Sequence, residues 1–137
     1  MMQSNIYLFF DGECEAAFKF YEQCLGGKID AMMTYGDAAM SEEFPSEQRD
    51  RIMHANLTVG GMVLMGSDTP PDGFKKPQGF SVNLQFDDQV EAERIFQKLA
   101  EDGTVKMPFQ ETFWSTRFGM LVDRFGTPWM INVQPAT

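Results

Sequence analysis

Apolar residues recur at every second position in two short stretches of the chain, residues 6–10 and 82–86. This period of two predicts a half-buried strand in each stretch. Apolar residues then recur at spacings of three and four, which predicts a helix after each strand. The first helical stripe is Ala17, Phe20, Tyr21 and Cys24, and the second is Ala92, Ile95, Phe96, Leu99 and Ala100. Gly26 and Gly103 lie just past the predicted helix ends, and Asp88 begins a capping pattern before the second helix.

Three further strands fit behind each helix. They span about 28–35, 51–59 and 62–67 in the first copy, and about 104–111, 117–123 and 128–134 in the second. Gly60-Gly61 and residues 125–128 have the composition of hairpin turns. The predicted fold class is therefore α+β, with the order βαβββ occurring twice.

The two copies also align with each other without a gap when the sequence is shifted by 76 residues. Identical residues then pair as Leu8 with Leu84, Phe10 with Phe86, Asp11 with Asp87, Glu15 with Glu91, Ala16 with Ala92, Phe20 with Phe96 and Gly27 with Gly103. Such self-similarity indicates a duplicated structural unit. We expect one domain built from two modules, about 1–67 and 79–137, joined by the loop 68–78.

Two connections are long for a compact domain. Residues 36–50 and 68–79 are rich in the Gly, Pro, Asp and Ser of loops. Long connections of this kind are usually either functional covers or mobile spans. The sequence leaves both alternatives open.

Composition narrows the possible partners. The chain has 137 residues, 43% of them hydrophobic, and a formal charge of −9. This apolar content is sufficient for a sizeable core, and the negative field disfavours nucleic acid and anionic membrane surfaces as partners. The sequence contains neither an apolar run of about 18 residues nor the pattern of a signal peptide. We therefore expect a cytoplasmic protein.

The spacing of the two cysteines is consistent with a cytoplasmic protein, because it predicts no disulfide between them. Cys14 and Cys24 are ten residues apart in a helical pattern, which separates them by about 15 Å along the axis. This distance excludes a disulfide between them. Two half-buried structural thiols are expected, with a redox or nucleophilic role as the alternative.

Several phrases of the sequence resemble the vicinal oxygen chelate superfamily, which includes glyoxalases, extradiol dioxygenases and bleomycin- and fosfomycin-resistance proteins. They are YLFFDGECEAAFKFYEQCLGG at 7–27, IMHANL at 52–57, LMGSD at 64–68, MPFQETFW at 107–114 and FGMLVDRFGTPWMINV at 118–133. Together they resemble the PhnB-like branch, which is sometimes given a demethylubiquinone-methyltransferase name. The chain has no Gly-rich G-x-G-x-x-G turn of the kind that holds S-adenosylmethionine, so methyl transfer is not expected.

The resemblance implies tandem βαβββ modules forming a curved mixed sheet around a central cavity, with the helices outside. It also implies positions for metal ligands on the first and last strands of each module. In this chain those positions hold Asn5, Met65, Ser81 and Met130. Two thioethers, an amide and a hydroxyl do not suit Zn²⁺, Ni²⁺, Fe²⁺ or Mn²⁺. We therefore expect no metal and no other cofactor.

The inner face of such a sheet is the expected ligand site. Tyr7 and Phe9 alternate with the core residues of the first strand, as Asn83 and Gln85 do in the second module. These four side chains would line an apolar slot with a few polar groups. Met65 and Met130 would lie deeper in the same space. The alternative is a solid interior filled by these side chains.

His54 is the only histidine, and it alternates with Asn56 on one predicted strand. A histidine hydrogen-bonded on the sheet is one interpretation; a ligand-contacting or acid–base residue is the other, which makes His54 a weak candidate for catalysis. The resemblance implies an acidic residue at the position where this chain has Asn56. Both residues are included in the expected ligand site.

Phe113 and Trp114 follow each other in a turn-like stretch, so one of them is expected at a rim. It would serve as a cavity lid or a subunit contact, or else pack against the edge of the sheet. Trp114 is included in the ligand site. The neighbouring charged residues Glu111, Arg117 and Asp123 are expected at the surface, solvated or ion-paired.

The sequence thus predicts a non-metal, homodimeric member of the superfamily that binds a small, partly aromatic or amphipathic molecule between its modules. Whether a reaction follows binding is left open. One alternative is a lyase, isomerase or dioxygenase that depends on a divalent metal. A second alternative is a dimeric resistance protein that sequesters a drug.

Overall fold

The computed structural model describes residues 1–38 and 41–134. The first module comprises β1 (Ile6–Phe10), α1 (Cys14–Leu25), β2 (Lys28–Thr34), β3 (Ile52–Val59) and β4 (Met62–Asp68). The second comprises β5 (Val82–Phe86), α2 (Gln89–Ala100), β6 (Thr104–Gln110), β7 (Arg117–Val122) and β8 (Pro128–Val133). The predicted α+β fold, βαβββ twice, is confirmed. The chain divides into two compact units, Met1–Lys75 and Lys76–Thr137.

Each module has its own four-stranded mixed sheet. The strand order is β1-β4-β3-β2 in the first and β5-β8-β7-β6 in the second. The strand before the helix pairs in parallel with the last strand of its module, and the other pairings are antiparallel. None of the described helices is both long and apolar enough to cross a membrane.

The long connection after β2 contains three short 3₁₀ turns, Tyr35–Asp37, Ser41–Glu43 and Ser46–Gln48. Thr34 caps the first of them, because its hydroxyl accepts a hydrogen bond from the backbone N–H of Asp37 and the Asp37 carboxylate accepts one from the N–H of Thr34. This reciprocal cap ends β2 one residue before the predicted boundary. A fourth 3₁₀ turn, Pro71–Gly73, follows β4.

The two helices begin in different ways. The side chain of Asp88 caps α2 by accepting hydrogen bonds from the backbone N–H groups of Val90 and Glu91, at 3.0 and 3.3 Å. The residue before α1, Glu13, makes no such bond. The first N–H group of α1, that of Cys14, instead donates to the Asp68 carboxylate at 2.9 Å.

Glycines at the helix ends serve two purposes. Gly26 adopts a left-handed backbone with φ of 77°, which lets it close α1. Gly27 and Gly103, which pair in the sequence repeat, are required for close approach instead. A Cβ atom on Gly27 would lie 2.5 Å from the carbonyl oxygen of Thr58, and one on Gly103 would lie 2.4 Å from that of Val122.

An aromatic residue of each helix packs against a glycine of the sheet. A Cβ atom on Gly66 of β4 would lie 2.6 Å from the Phe18 ring, and one on Gly119 of β7 would lie 2.6 Å from the Phe96 ring. The prediction of Phe20 for the buried stripe of α1 was wrong, since Phe18 is fully buried and Phe20 only half-buried. Phe18 lies four residues after Cys14 and three before Tyr21, both of which are also buried, so it completes the stripe.

Neither cysteine forms a disulfide, and both are fully buried rather than half-buried. Burial, with smaller contributions from the charges of Asp68 and Glu15, raises the pKa of the Cys14 thiol. A raised pKa keeps the thiol protonated, so the environment of Cys14 disfavours the nucleophilic thiolate.

Candidate functional site

One face of the first sheet is left uncovered by α1. Leu8 pairs with Gly66, the residue on which Phe18 of the helix packs, so Leu8 lies on the helix side. Because side chains alternate along a strand, Tyr7 and Phe9 lie on the other side. The pairing register brings five of the predicted site residues onto that side: Tyr7, Phe9, His54, Asn56 and Met65. We call this set the aromatic face.

Tyr7 occupies the middle of the aromatic face. A hydrogen bond of 3.3 Å joins its hydroxyl to Nδ1 of His54, and the two ring centroids are 5.9 Å apart. The Phe9 ring lies 5.1 Å from the Tyr7 ring on the same strand. Tyr7 and Phe9 are 40% and 51% exposed, a high value for aromatic side chains placed side by side. The aromatic face therefore offers apolar area next to an imidazole.

Asn56 adds an unpaired acceptor to this face. It pairs with Met65 across the β3–β4 ladder, and its Oδ1 is buried without a hydrogen-bond partner among the described residues. An unpaired buried carbonyl oxygen destabilises the folded state by about 1–3 kcal/mol. In native proteins such an atom is therefore usually hydrogen-bonded to a protein group, a water or a ligand. The sequence singled out Asn56 as a residue in place of an acid. Only the structure shows that its oxygen is unpaired.

The second module presents the corresponding face of its own sheet. Asn83 and Gln85 are exposed, and they pair with Met130 and Asn132 of β8. Met130 is half-buried. The face thus has an amide-rich strand beside a thioether, as the alternation predicts.

An aromatic pair projects from the loop between β6 and β7. The Phe113 and Trp114 rings are 4.7 Å apart in an edge-to-face arrangement, and Trp114 also contacts Phe118 at 5.5 Å. Phe113 is 97% exposed and Trp114 is 47% exposed. Buried Ser115 anchors this loop, because its hydroxyl lies 2.7 Å from the carbonyl oxygens of Arg117 and Val133.

The positions that the resemblance gives to metal ligands do not fit a divalent cation. Asn5, Met65, Ser81 and Met130 offer no imidazole, thiolate or carboxylate. The described residues also contain no cluster of three His, Cys, Asp or Glu side chains. Divalent transition metals need such ligands, so the residues at these positions do not support metal-assisted chemistry.

The burial of two carboxylates was not predicted from the sequence. Asp123 was expected at the surface, but it is 3% exposed. Its carboxylate accepts hydrogen bonds from the N–H groups of Phe125 and Thr127 and from Nε1 of Trp129, at 2.8, 3.1 and 2.8 Å. The expectation was wrong because the β7–β8 turn folds back over this side chain and supplies donors that compensate its burial.

Asp68 is the buried carboxylate of the first module. Its carboxylate accepts from the N–H groups of Cys14 and Ile52, both at 2.9 Å, and its carbonyl oxygen accepts from the Tyr35 hydroxyl at 2.8 Å. Each carboxylate oxygen of the two acids therefore accepts at least one hydrogen bond within the fold. On the two sheets, the side chains open to a ligand lie on the faces that the helices leave uncovered.

The chain is similar to a known protein family and to proteins of several bacteria. The family model for 3-demethylubiquinone-9 3-methyltransferase matches residues 3–132. Protein YjdN of Escherichia coli K12 is 37% identical over 140 residues, which cover 96% of this chain and 95% of YjdN. The crystal structure of PA1353 from Pseudomonas aeruginosa is 44% identical, with a TM-score of 0.91 over 99% of this chain and 100% of that one.

A PhnB protein from Bacillus cereus is 25% identical, with a TM-score of 0.81 over 96% of this chain and 99% of that one. A glyoxylase/bleomycin resistance protein/dioxygenase domain from Frankia shares the fold at a TM-score of 0.69 and 12% identity. This more distant likeness concerns the fold alone. Given the match over residues 3–132 and these relatives, the chain belongs to the 3-demethylubiquinone-9 3-methyltransferase family, which its PhnB-like phrases resembled, and it has the fold of the vicinal oxygen chelate superfamily.

Proposed function

We propose that the chain binds a small, partly aromatic or amphipathic molecule on the aromatic face, without the help of a divalent metal. The observation that carries this proposal is the combination of two exposed aromatic rings, Tyr7 and Phe9, with the unpaired buried oxygen of Asn56. Binding sites for small molecules are mostly apolar and contain a few placed polar groups. The aromatic face has that composition.

The polar groups favour a particular kind of ligand. Oδ1 of Asn56 is an acceptor, so a ligand with an N–H or O–H donor would give it the missing hydrogen bond. His54, joined to the Tyr7 hydroxyl, supplies a second polar contact beside the rings. Met65 adds a flexible thioether that adapts to the shape of an apolar group.

The face of the second module is proposed as a further contact surface for a small molecule. Asn83 and Gln85 provide amide donors and acceptors, and Met130 provides apolar area. Trp114 is proposed as the aromatic residue at its rim, because half of its surface remains accessible. These side chains suit an amphipathic ligand of their own.

Methyl transfer, which the family's name suggests, has less support in this chain than the binding of a small molecule. The strand-to-helix turns are Asp11-Gly12-Glu13 in the first module and Asp87-Asp88 in the second. Neither is the Gly-rich turn that lets a backbone approach a nucleotide cofactor closely. The donors at the implied metal positions likewise favour binding over metal-assisted catalysis.

A thermal-shift screen of small aromatic and amphipathic compounds tests the proposal. A ligand that binds only the folded state raises the melting temperature, and its affinity is then measured by titration, with Trp114 fluorescence as a second readout. We expect Tyr7→Ala to weaken a ligand of the aromatic face, and Asn83→Leu to weaken a ligand of the second module's face, by about 1–3 kcal/mol in each case. Tyr7→Phe, which keeps the ring, should have the smaller effect.

Lys19→Ala on the exposed side of α1 is the control, and it should leave the affinity unchanged. A ligand that binds the Tyr7→Ala variant as tightly as the unaltered chain would not be bound by the aromatic face, and the same result with Asn83→Leu would exclude the face of the second module. Elemental analysis tests the metal part of the proposal. Near one equivalent of Zn, Ni, Fe or Mn per chain, retained after dialysis against a weak chelator, would overturn it.

A further inference from the structure

Residues that follow β2 and residues that follow β4 line a pocket that shares no residue with the aromatic face. Its volume is about 310 Å³, and its apolar wall is formed by Tyr35, Phe44, Pro45 and Pro70. The buried side chain of Gln48 also lines the pocket. A ligand bound there would not depend on the aromatic face.

Hydrogen bonds hold the pocket wall in place without a ligand. Tyr35 is fixed at both ends, because its backbone N–H donates to the carbonyl oxygen of Arg51 at 3.0 Å and its hydroxyl to that of Asp68 at 2.8 Å. The Phe44 ring meets the Tyr35 ring edge-to-face at 4.9 Å. The backbone N–H of Gln48 donates to the carbonyl oxygen of Pro45 at 2.9 Å. A wall fixed in this way loses little entropy when it binds a ligand.

Gln48 brings a weakly engaged donor to this wall. The residue is only 6% exposed, and its amide lies beside the Tyr35 hydroxyl, but its Nε2 makes no hydrogen bond of regular geometry to a described residue. A buried amide N–H₂ without a partner is costly, so most such groups in proteins are paired. Rotation about the terminal torsion of glutamine has broad minima, so the amide can turn its Nε2 toward an occupant of the pocket.

The charges around the pocket restrict the occupant further. Glu47 and Asp72 are exposed carboxylates in the lining, and no described lining residue is a cation. The chain as a whole carries −9 charges. An anionic ligand would be repelled, whereas a neutral one would not.

We propose that this pocket binds a neutral, flat, bicyclic aromatic molecule that carries one hydrogen-bond acceptor. The pocket volume is roughly twice the ~150 Å³ of a cavity that holds benzene, which sets the size of the ligand. The Tyr35 and Phe44 rings favour an aromatic ligand, and Nε2 of Gln48 donates to its acceptor.

Quinoline, a neutral bicycle with one acceptor nitrogen, is the probe. Titration of the full, ¹⁵N-labelled chain with quinoline should shift the backbone amide resonances of Phe44, Gln48 and Asp72 and the side-chain amide resonance of Gln48. Quinoline-6-carboxylate, which keeps the rings and the acceptor and adds a negative charge, should bind more weakly.

Gln48→Met keeps the length of the side chain and removes the donor. We expect this variant to bind quinoline about three- to ten-fold more weakly, the effect of one hydrogen bond, and to melt at the same temperature or higher because a weakly engaged buried group is gone. Gln97→Met, on the exposed side of α2, is the matched control and should bind quinoline normally.

Two results would overturn the proposal: quinoline shifts none of the lining residues, or Gln48→Met binds it as tightly as the unaltered chain does. The Gln48 side-chain resonance is followed in the unaltered chain, so the titration decides the matter even where the variant fails to fold. Changes at the aromatic face do not enter this test. Its outcome is thus separate from that of the ligand screen.

Discussion

At the scale of single residues, the Asp68 carboxylate joins parts of the first module that are distant in sequence. It accepts hydrogen bonds from the N–H groups of Cys14 and Ile52, which precede it by 54 and 16 residues. Asn at this position would retain one acceptor and turn an N–H₂ group toward the other backbone donor. We expect Asp68→Asn to lower the free energy of unfolding by about 2–3 kcal/mol, measured by urea denaturation.

Asp50→Asn provides the comparison, because Asp50 is exposed in the loop before β3. A change of this kind at the surface usually stays within about 0.5 kcal/mol. Equal stability of the two variants would show that the Asp68 carboxylate contributes nothing beyond its volume.

The Cys14 thiol gives a prediction about pH. Its pKa is raised in the folded chain, chiefly by burial, whereas the unfolded chain has the ordinary value of 9.0. Above pH 9 the unfolded chain therefore releases a proton that the folded chain keeps. The free energy of unfolding should be unaffected by this group below pH 9 and fall above it, with a slope approaching 1.4 kcal/mol per pH unit.

Urea unfolding of the unaltered chain and of Cys14→Ala, followed from pH 8 to pH 10, measures this contribution. The alanine variant is expected to be less stable at every pH, because it leaves a small void in the core. Its decline above pH 9 should nevertheless be shallower. Parallel curves for the two proteins would contradict the raised pKa.

At the scale of elements, each helix is seated on its sheet by an aromatic ring over a glycine. Gly66 of β4 lies under Phe18, and an added methyl group would come within 2.6 Å of the ring. We expect Gly66→Ala to destabilise the protein by about 1–3 kcal/mol, the range for overpacking a core. Urea denaturation of the single variant measures the effect.

A double-mutant cycle with Phe18→Leu identifies the cause. The smaller leucine leaves room for the methyl group, so the double variant should lose less stability than the two single variants added together. Strictly additive losses would mean that Gly66→Ala acts on the backbone of β4 and not on the packing of α1.

The starts of the two helices show which capping hydrogen bonds a local sequence pattern can predict. Asp88 lies directly before α2 and bonds its first turn, so a capping pattern read within four residues predicts it. The first N–H of α1 is bonded by Asp68, at the far end of the module. No local pattern could identify this partner, because it reaches the helix only once β1 and β4 are paired.

At the scale of the whole molecule, exposed aromatic surface supports the expected homodimer. Phe113 and Trp114 form an edge-to-face pair that is largely open to solvent. Aromatic residues are enriched in the cores of protein interfaces. We predict a mass near twice the 15.6 kDa of the chain in light scattering at micromolar concentration, and a shift toward the monomer in Phe113→Asp.

Val90→Asp is the control, since Val90 is an exposed apolar residue in the first turn of α2, where an acid is well tolerated. It should leave the mass unchanged. A monomer for the unaltered chain would refute the dimer, and a Phe113→Asp variant that stays dimeric would move the interface away from this loop.

The candidate site combines features that local sequence predicts with contacts that depend on the assembled sheet. Alternation along β1 predicts that Tyr7 and Phe9 share a face, and alternation along β3 predicts the same of His54 and Asn56. The contact between Tyr7 and His54 depends on the register of β1 on β4 and of β4 on β3. That register is a property of the assembled sheet.

The sequence by itself determined the elements, their order and their duplication, because hydrophobic periods, capping patterns and turn glycines act between residues that are close in the chain. Only the tertiary structure decided which polar groups are buried and which lack partners. Asp123 is enclosed by its own turn, Asp68 by elements up to 54 residues away, and Gln48 is left with a weakly engaged donor. Burial and pairing depend on what the completed fold places around a group, which no local pattern records.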